Sequence, residues 1–361
     1  MTTNTDLPLI DGHTHCFTME VVDNLVSVMK RLRLKAYNNC AICHTGGARI
    51  SQNPICLMLK LMHPGKVYAC GGLFYKLAGQ TKDTLDLRGQ AERLIGLGFD
   101  GMKMIEGKPT AYKELGIPLN DSVYDDYFGW LQDRQIPVVF HIADPETFWD
   151  REKIPPHFLD QGWCYDDGTY PTKEQLYEQV DDILSRFAKL RVIFAHFYFL
   201  SADIDRASAF LEKWPTVSFD ITPGTEMYRN FSQNVDQWSE FFTRYADRIV
   251  FGTDNVCSVD QGDLEGSIEK IHCMRRFLSG TDEFRFGRYE VRGLGLDESV
   301  LAKIYSGNFE RHFGAEPKPV SKDAAVAYCE DLASKAKSIP EEAQVLSDLR
   351  KITDTIAKLP D

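Results

Sequence analysis

His13-Thr14-His15 follows the short run Pro8-Leu9-Ile10-Asp11-Gly12. Side chains on a strand alternate with a period of two, so imidazoles at i and i+2 share one face. Two imidazoles side by side at a strand end make half of a metal site. Three later apolar runs each end in another residue of ligand type. Ile136-Pro137-Val138-Val139-Phe140 ends in His141, Val192-Ile193-Phe194-Ala195 in His196, and Ile249-Val250-Phe251-Gly252-Thr253 in Asp254. Any one of these histidines, taken alone, is explained as a satisfied core or surface residue. Five nitrogen and oxygen donors at the ends of apolar runs point instead to a divalent metal. Imidazole and carboxylate suit zinc first, with manganese, iron or cobalt as alternatives. Three or four protein ligands leave one position for water, whose pKa such an ion lowers towards ~7.

Strands that end on a common face must position these donors. Eight apolar runs recur, at 9–13, 39–43, 67–74, 101–105, 137–142, 192–197, 217–221 and 249–253. Most are nearly continuous, the mark of parallel strands buried on both faces. Amphipathic segments separate them. These are 82–97, stopped by Gly98; 122–135, with Asp121 as N-cap; 173–190, after Thr172; 202–213; and 235–246. Strand–helix alternation eight times over predicts an α/β fold, a distorted (β/α)8 TIM barrel with additional C-terminal helices. An open doubly wound sheet would need a Gly-rich phosphate turn after its first strand, where His13-Thr14-His15-Cys16 stands.

In a barrel the βα loops build the active face. Two are long, 145–170 and 223–231, and should rim the pocket. Their Trp149, Trp163, Tyr165 and Tyr228 either wall it or pack the loops onto the barrel, and packing is the expectation. Residues 1–314 read as the barrel. Residues 315–361 read as a helical extension, broken near Pro340, that packs on the barrel or on a partner subunit. A homodimer would form through these helices.

With 43% hydrophobic and 26% charged residues, a chain of 361 residues builds a large core and is not disordered. The net charge of −12 disfavours nucleic acid or an anionic membrane as a partner and leaves a small-molecule substrate. The polar start and the lack of any apolar run near ~18 residues lead to the expectation of a cytoplasmic protein. Cys40-Ala41-Ile42-Cys43 is a single C-x-x-C with no second pair, and reads as buried thiols of a strand.

Several motifs taken together resemble the amidohydrolase superfamily, in particular its amidohydrolase-related (amidohydrolase 2) branch. They are Ile10-Asp11-Gly12-His13-Thr14-His15, Gly98-Phe99-Asp100-Gly101-Met102-Lys103, His141, His196 and Phe251-Gly252-Thr253-Asp254. Residues 301–313 resemble the closing helix of that branch, with Asn308 and Arg311 in place. The resemblance spans about residues 8–314. It implies one or two ions held by His13, His15, His141 and Asp254. His196 would be a further ligand or a neighbouring hydrogen-bonding group, and Asp254 would take the proton from the activated water.

With two ions, the resemblance implies a bridging carboxylated lysine or glutamate at the end of strand four, where Lys103 and Glu106 both stand. A lysine inside an apolar strand is costly unless paired or modified. Lys103 therefore reads equally as a bridge or as the partner of a substrate carboxylate or acidic neighbour; Glu106 reads as a loop carboxylate. His44, at the end of strand two, should face the pocket. Arg49, in the following loop, would hold a substrate carboxylate, a solvated loop arginine being the other reading.

The leading expectation is a metal-dependent hydrolase of a small amide, lactone or ester. The alternative is a metal-dependent decarboxylase of an aromatic or unsaturated acid. Some decarboxylases of the branch carry a proline soon after His-x-His, and Cys16-Phe17-Thr18 has none. A catalytically silent binding barrel is a third reading, opposed by the intact ligand set.

Overall fold

The near-continuous apolar runs become strands buried along their length, as a parallel sheet covered on both faces requires. The structure is a computed structural model that describes residues 7–44, 47–224, 226–256, 261–336 and 341–360. Eight parallel strands pair in sequence order: β1 (Ile10–Thr14), β2 (Ala36–Cys40), β3 (Val67–Gly72), β4 (Gly101–Gly107), β5 (Val138–Ile142), β6 (Val192–Phe194), β7 (Val217–Asp220) and β8 (Ile249–Val250). Beyond β8 the chain returns to β1. Gly12 N–H donates to the Phe251 carbonyl at 2.9 Å, and Thr14 bridges to Asn255. A Cβ on Gly12 would lie 2.7 Å from that carbonyl oxygen, so only glycine permits the approach that nearly closes the barrel. Ile10, Cys40, Tyr68, Cys70 and Val139 fill the interior below the site. Phe309 and Phe313, stacked with ring centroids 4.4 Å apart, join this inner core.

One long helix follows each strand in turn: α1 (Val22–Arg31), α2 (Gln52–Met62), α3 (Leu87–Gly96), α4 (Asp125–Arg134), α5 (Lys173–Arg186), α6 (Ile204–Lys213), α7 (Val235–Arg244) and α8 (Gln261–Ser279). Thr172 caps α5 in a reciprocal box: its hydroxyl accepts from Gln175 N–H, and the Gln175 side chain accepts from Thr172 N–H. Asp121 accepts from Val123 N–H, capping the short turn ahead of α4.

Several boundaries differ from the sequence expectation. β2 begins three residues before the apolar run 39–43, because Asn38 and Asn39 lie inside it. Asn38 Nδ2 donates to the Gly12 carbonyl at 3.0 Å, and Asn39 Nδ2 reaches Cys56 Sγ at 3.0 Å, so the NH2 group of each finds a partner in the core. His44 therefore stands four residues beyond β2, and Cys43 is a buried loop residue with only Cys40 on the strand. The helix expected over 82–97 starts at Leu87, where the Asp86 side chain accepts from Gly89 N–H at 2.8 Å. The antiparallel hairpin β9 (Glu283–Phe286) and β10 (Tyr289–Arg292) lay outside the expected order.

The tail forms α9 (Lys322–Lys335) and α10 (Glu342–Ala357), which pair with each other and pack on α2. The lead into them is tied to Asp100, which accepts from Lys318 N–H at 2.7 Å and Ala69 N–H at 2.8 Å and is paired with buried Lys60. Among the described residues no helix is long and apolar enough to cross a membrane.

Candidate metal centre

His13 is held from the far side of its ring. Its Nδ1 lies 2.8 Å from Asp220 Oδ2 at the end of β7, which assigns the ring proton there and turns the Nε2 lone pair to the cavity. His15, one residue past β1, is fixed in the same way: Nδ1 lies 2.6 Å from the Cys40 carbonyl. Asp254 Oδ1 then stands 3.1 Å from His15 Nε2 and 3.9 Å from His13 Nε2. All three donor atoms fall within 4.8 Å of one another. A tetrahedral ion with bonds of about 2.1 Å spaces its ligands about 3.4 Å apart, so two imidazoles and a carboxylate at these distances fit a zinc-like ion.

Backbone ties bring β1 and the end of β8 together. Thr253 donates to Asp11 through N–H at 3.0 Å and through its hydroxyl at 2.6 Å. Asp254 N–H donates to the His13 carbonyl at 2.8 Å, with Asp254 in the left-handed region at φ 55°. A Cβ on Gly252 would lie 2.9 Å from His13 Cβ. Burial pushes the Asp11 carboxyl up to about 7, against the bonds from Thr253 and His13 N–H.

His141 and His196 line the same cavity of about 390 Å³ but stand outside the tight His13–His15–Asp254 set. Their ring centroids are 4.8 Å apart, and His196 lies 5.9 Å from His13. His141 Nε2 is 2.9 Å from the Ala143 carbonyl, so an ion would have to use Nδ1. His196 Nδ1 is 3.2 Å from the Thr222 carbonyl, which leaves Nε2. His196 is not carried by a strand, as β6 stops at Phe194. His196, Phe197, Tyr198 and Phe199 run in the left-handed region at φ 56°, 55°, 54° and 51°. Such backbone costs about 1–2 kcal/mol per residue, so the surroundings must enforce it. They do: Tyr177 OH donates to the Tyr198 carbonyl at 2.8 Å and Lys173 Nζ to the Phe199 carbonyl at 3.1 Å. His196 N–H donates to Asp220 Oδ1 at 2.8 Å, so one carboxylate orients both His13 and His196.

Burial lowers His13, His44 and His196 to about 4 each, and lowers His141 as well. These rings are neutral at pH 7, the form that binds metal. Burial pushes Asp254 up, but the hydrogen bond from His15 and the neighbouring imidazoles of His13 and His196 outweigh it and hold the carboxyl well below its usual range.

Cations stand around this cluster. Lys103 Nζ, on β4, lies 3.0 Å from His13 Nε2. Arg49 is exposed at the cavity, 5.9 Å from the Phe17 ring centroid, and His44 is a buried part of the lining. Lys108, absent from the sequence expectations, is paired with Asp144 at 2.7 Å and sits 4.0 Å from the centroid of Trp163. Glu106 is no loop carboxylate: it is a buried residue of β4 that accepts from Tyr75 OH at 2.9 Å and takes no part in the lining. Of the four loop aromatics, Trp163 walls the cavity. Trp149 and Tyr165 pack into the loop's own small core, and Tyr228 donates to the Ile221 carbonyl at 2.8 Å. Asp220 was the main residue missed; its signal is an acidic residue closing an apolar strand.

The fold and the donor set define a TIM-barrel enzyme with residues of metal-ligand type clustered at the barrel mouth. The chain belongs to the amidohydrolase family: the family's sequence model matches residues 83–315, a stretch that holds His141, His196 and Asp254, with His13 and His15 ahead of it. The family is typically metal-dependent. Among solved structures, the chain is similar to an uncharacterised TIM-barrel protein from Bordetella bronchiseptica, at 13% identity over 86% of this chain and 99% of that one (TM-score 0.52). It is similar to 2,6-dihydroxybenzoate decarboxylase from Rhizobium, at 13% identity over 85% and 98% (TM-score 0.51). It is also similar to 4-oxalomesaconate hydratase from Rhodopseudomonas palustris, at 13% identity over 90% and 99% (TM-score 0.50). These likenesses show the shared fold. A comparison with curated proteins finds no match.

Proposed function

We propose that this enzyme is a metal-dependent hydrolase of a small carboxylated amide, lactone or ester, with one divalent ion, zinc in the first place. The observation that carries the reading is Asp254, a carboxylate held ionised beside His15 and His13 and open to the cavity. When bound, the ion supplies Lewis-acid polarisation of a carbonyl and a water acidified towards neutral pH. His13, His15 and Asp254 would hold it, with His141 and His196 completing the set as ligand or proton acceptor. Asp254 accepts the proton of the attacking water and returns it to the leaving group. His196, with its Nδ1 proton assigned to the Thr222 carbonyl, offers a lone pair at Nε2 and does not donate. Lys103 and Arg49 hold the substrate carboxylate, with His44 lining that side.

A single ion is favoured because Glu106, one of the two candidate bridges, is engaged by Tyr75 away from the cavity. Decarboxylation of an aromatic acid is the second reading, and the flat walls of Trp163 and Phe17 favour it. Product analysis by mass spectrometry in isotopically labelled water separates the two. The hydrolase reading predicts one labelled oxygen in the product from a panel of carboxylated lactones, esters and amides. Release of CO₂ from hydroxybenzoates with no turnover of that panel would replace it with the decarboxylase.

A further inference from the structure

α2 is an unusual barrel helix. A helix in the outer ring buries one stripe against the sheet, as α3 does with Leu87, Ala91 and Leu94. In α2 every residue from Gln52 to Lys60 is buried, and Ile55, Cys56, Leu57, Met58 and Leu59 are each 0% exposed. Five consecutive buried residues face all sides of a helix, so α2 needs a cover on its outer side. The tail supplies it: both α9 and α10 pack on α2. The tail lies beyond residue 315, where the family match ends.

The same tail reaches the site. α10 carries a buried stripe, Val345, Leu349, Ile352 and Ile356, and packs on the turn Gly47–Ser51 as well as on α2. That turn carries Arg49 at the cavity, while its neighbours Ile50 and Ser51 are buried. The first turn of α2 fastens the adjoining chain. Gln52 Oε1 accepts from the N–H of Ile42, a cavity residue, at 2.7 Å. Asn53 is pinned to Gly72 by two bonds of 2.9 Å and approaches Tyr328 OH of α9 at 3.5 Å.

We infer that the α9–α10 hairpin is a positioning element of the site: by clamping α2 and the Gly47–Ser51 turn it holds Arg49 at the cavity, and so sets the affinity for an anionic substrate. This rests on the reading of Arg49 as a substrate-carboxylate residue. Without the hairpin contact the turn would lose its buried anchors, Ile50 and Ser51, and Arg49 would sample solvent at an entropic cost to binding.

The test uses zinc-loaded full-length protein, with benzoate as the anionic probe and amide hydrogen exchange as a second readout. Leu349→Ala is expected to speed exchange in peptides covering 47–60 about tenfold, leaving β5 and the zinc content unchanged, and to weaken benzoate binding about tenfold. Arg49→Ala should weaken binding similarly with unchanged exchange. The double variant should bind no more weakly than Arg49→Ala alone, the non-additivity expected when one residue acts through the other. Additive losses, or unchanged exchange over 47–60 in Leu349→Ala, would overturn the inference. Failure of the unmodified protein to bind benzoate would overturn the carboxylate reading, and the exchange result would still decide the clamp. If Leu349→Ala does not fold, Ile352→Val repeats the test with a one-methylene deletion.

Discussion

Asp220 and His13, 207 residues apart in the chain, meet at 2.8 Å between Oδ2 and Nδ1 across the barrel mouth. The contact fixes which imidazole nitrogen carries the proton and which faces the cavity, and Asp220 also accepts from His196 N–H. Asp220→Asn keeps the size of the side chain and removes its charge. It is expected to weaken metal affinity by about 10–100-fold, measured by competition with a chelator, with the helical circular dichroism unchanged. Unaltered affinity would mean that Asp220 does not orient His13.

Gly252 is where the chain after β8 touches His13. An added Cβ would stand 2.9 Å from His13 Cβ and 2.8 Å from Thr222 Oγ1. Gly252→Ala is expected to cost about 1–3 kcal/mol in a denaturant titration, in the range of overpacked cores. It should weaken metal binding as well, because His13, a proposed ligand, must yield together with Thr222. A fully stable variant with native metal affinity would show that the contact is slack.

Four histidines, three of them buried, make stability depend on pH, opposed by the buried carboxyl of Asp11, raised to about 7. Burial lowers His13, His44 and His196 to about 4 and, together with nearby arginines, His312 to about 3. In the unfolded chain each titrates near 6.5. Between those values the unfolded state binds more protons, so stability rises with pH across this window and falls as pH drops below ~6.5. Each ring contributes a slope of at most about 1.4 kcal/mol per pH unit. Chelator-treated protein should therefore show a lower denaturation midpoint at pH 5 than at pH 7. Equal midpoints would mean that these rings take up protons in the fold.

His13 in β1, His141 in β5, His15 just past β1 and Asp254 four residues past β8 were legible because each lies at the end of an apolar run, and the eightfold alternation carried the barrel. Residues whose meaning depends on distant partners were not. Asn38 and Asn39 look out of place in a core strand until Gly12 and Cys56 are seen to take their NH2 groups, which displaced β2 by three residues. The left-handed run from His196 to Phe199 contains no glycine to announce it, since aromatic packing and the bonds from Tyr177 and Lys173 enforce the backbone. Glu106 shows its direction only through Tyr75. The unbroken apolar run of α2 was a readable sign that the tail folds back on the barrel, because no single face of a helix holds five consecutive residues.

The proposed chemistry depends on an ion held by His13, His15 and Asp254. Elemental analysis of protein purified without chelator, beside the variant His13→Ala/His15→Ala, tests it most directly. About one equivalent of a divalent metal per chain is expected, lost in the variant. Metal-free protein that stays empty after reconstitution, or a variant that retains its metal, would contradict it.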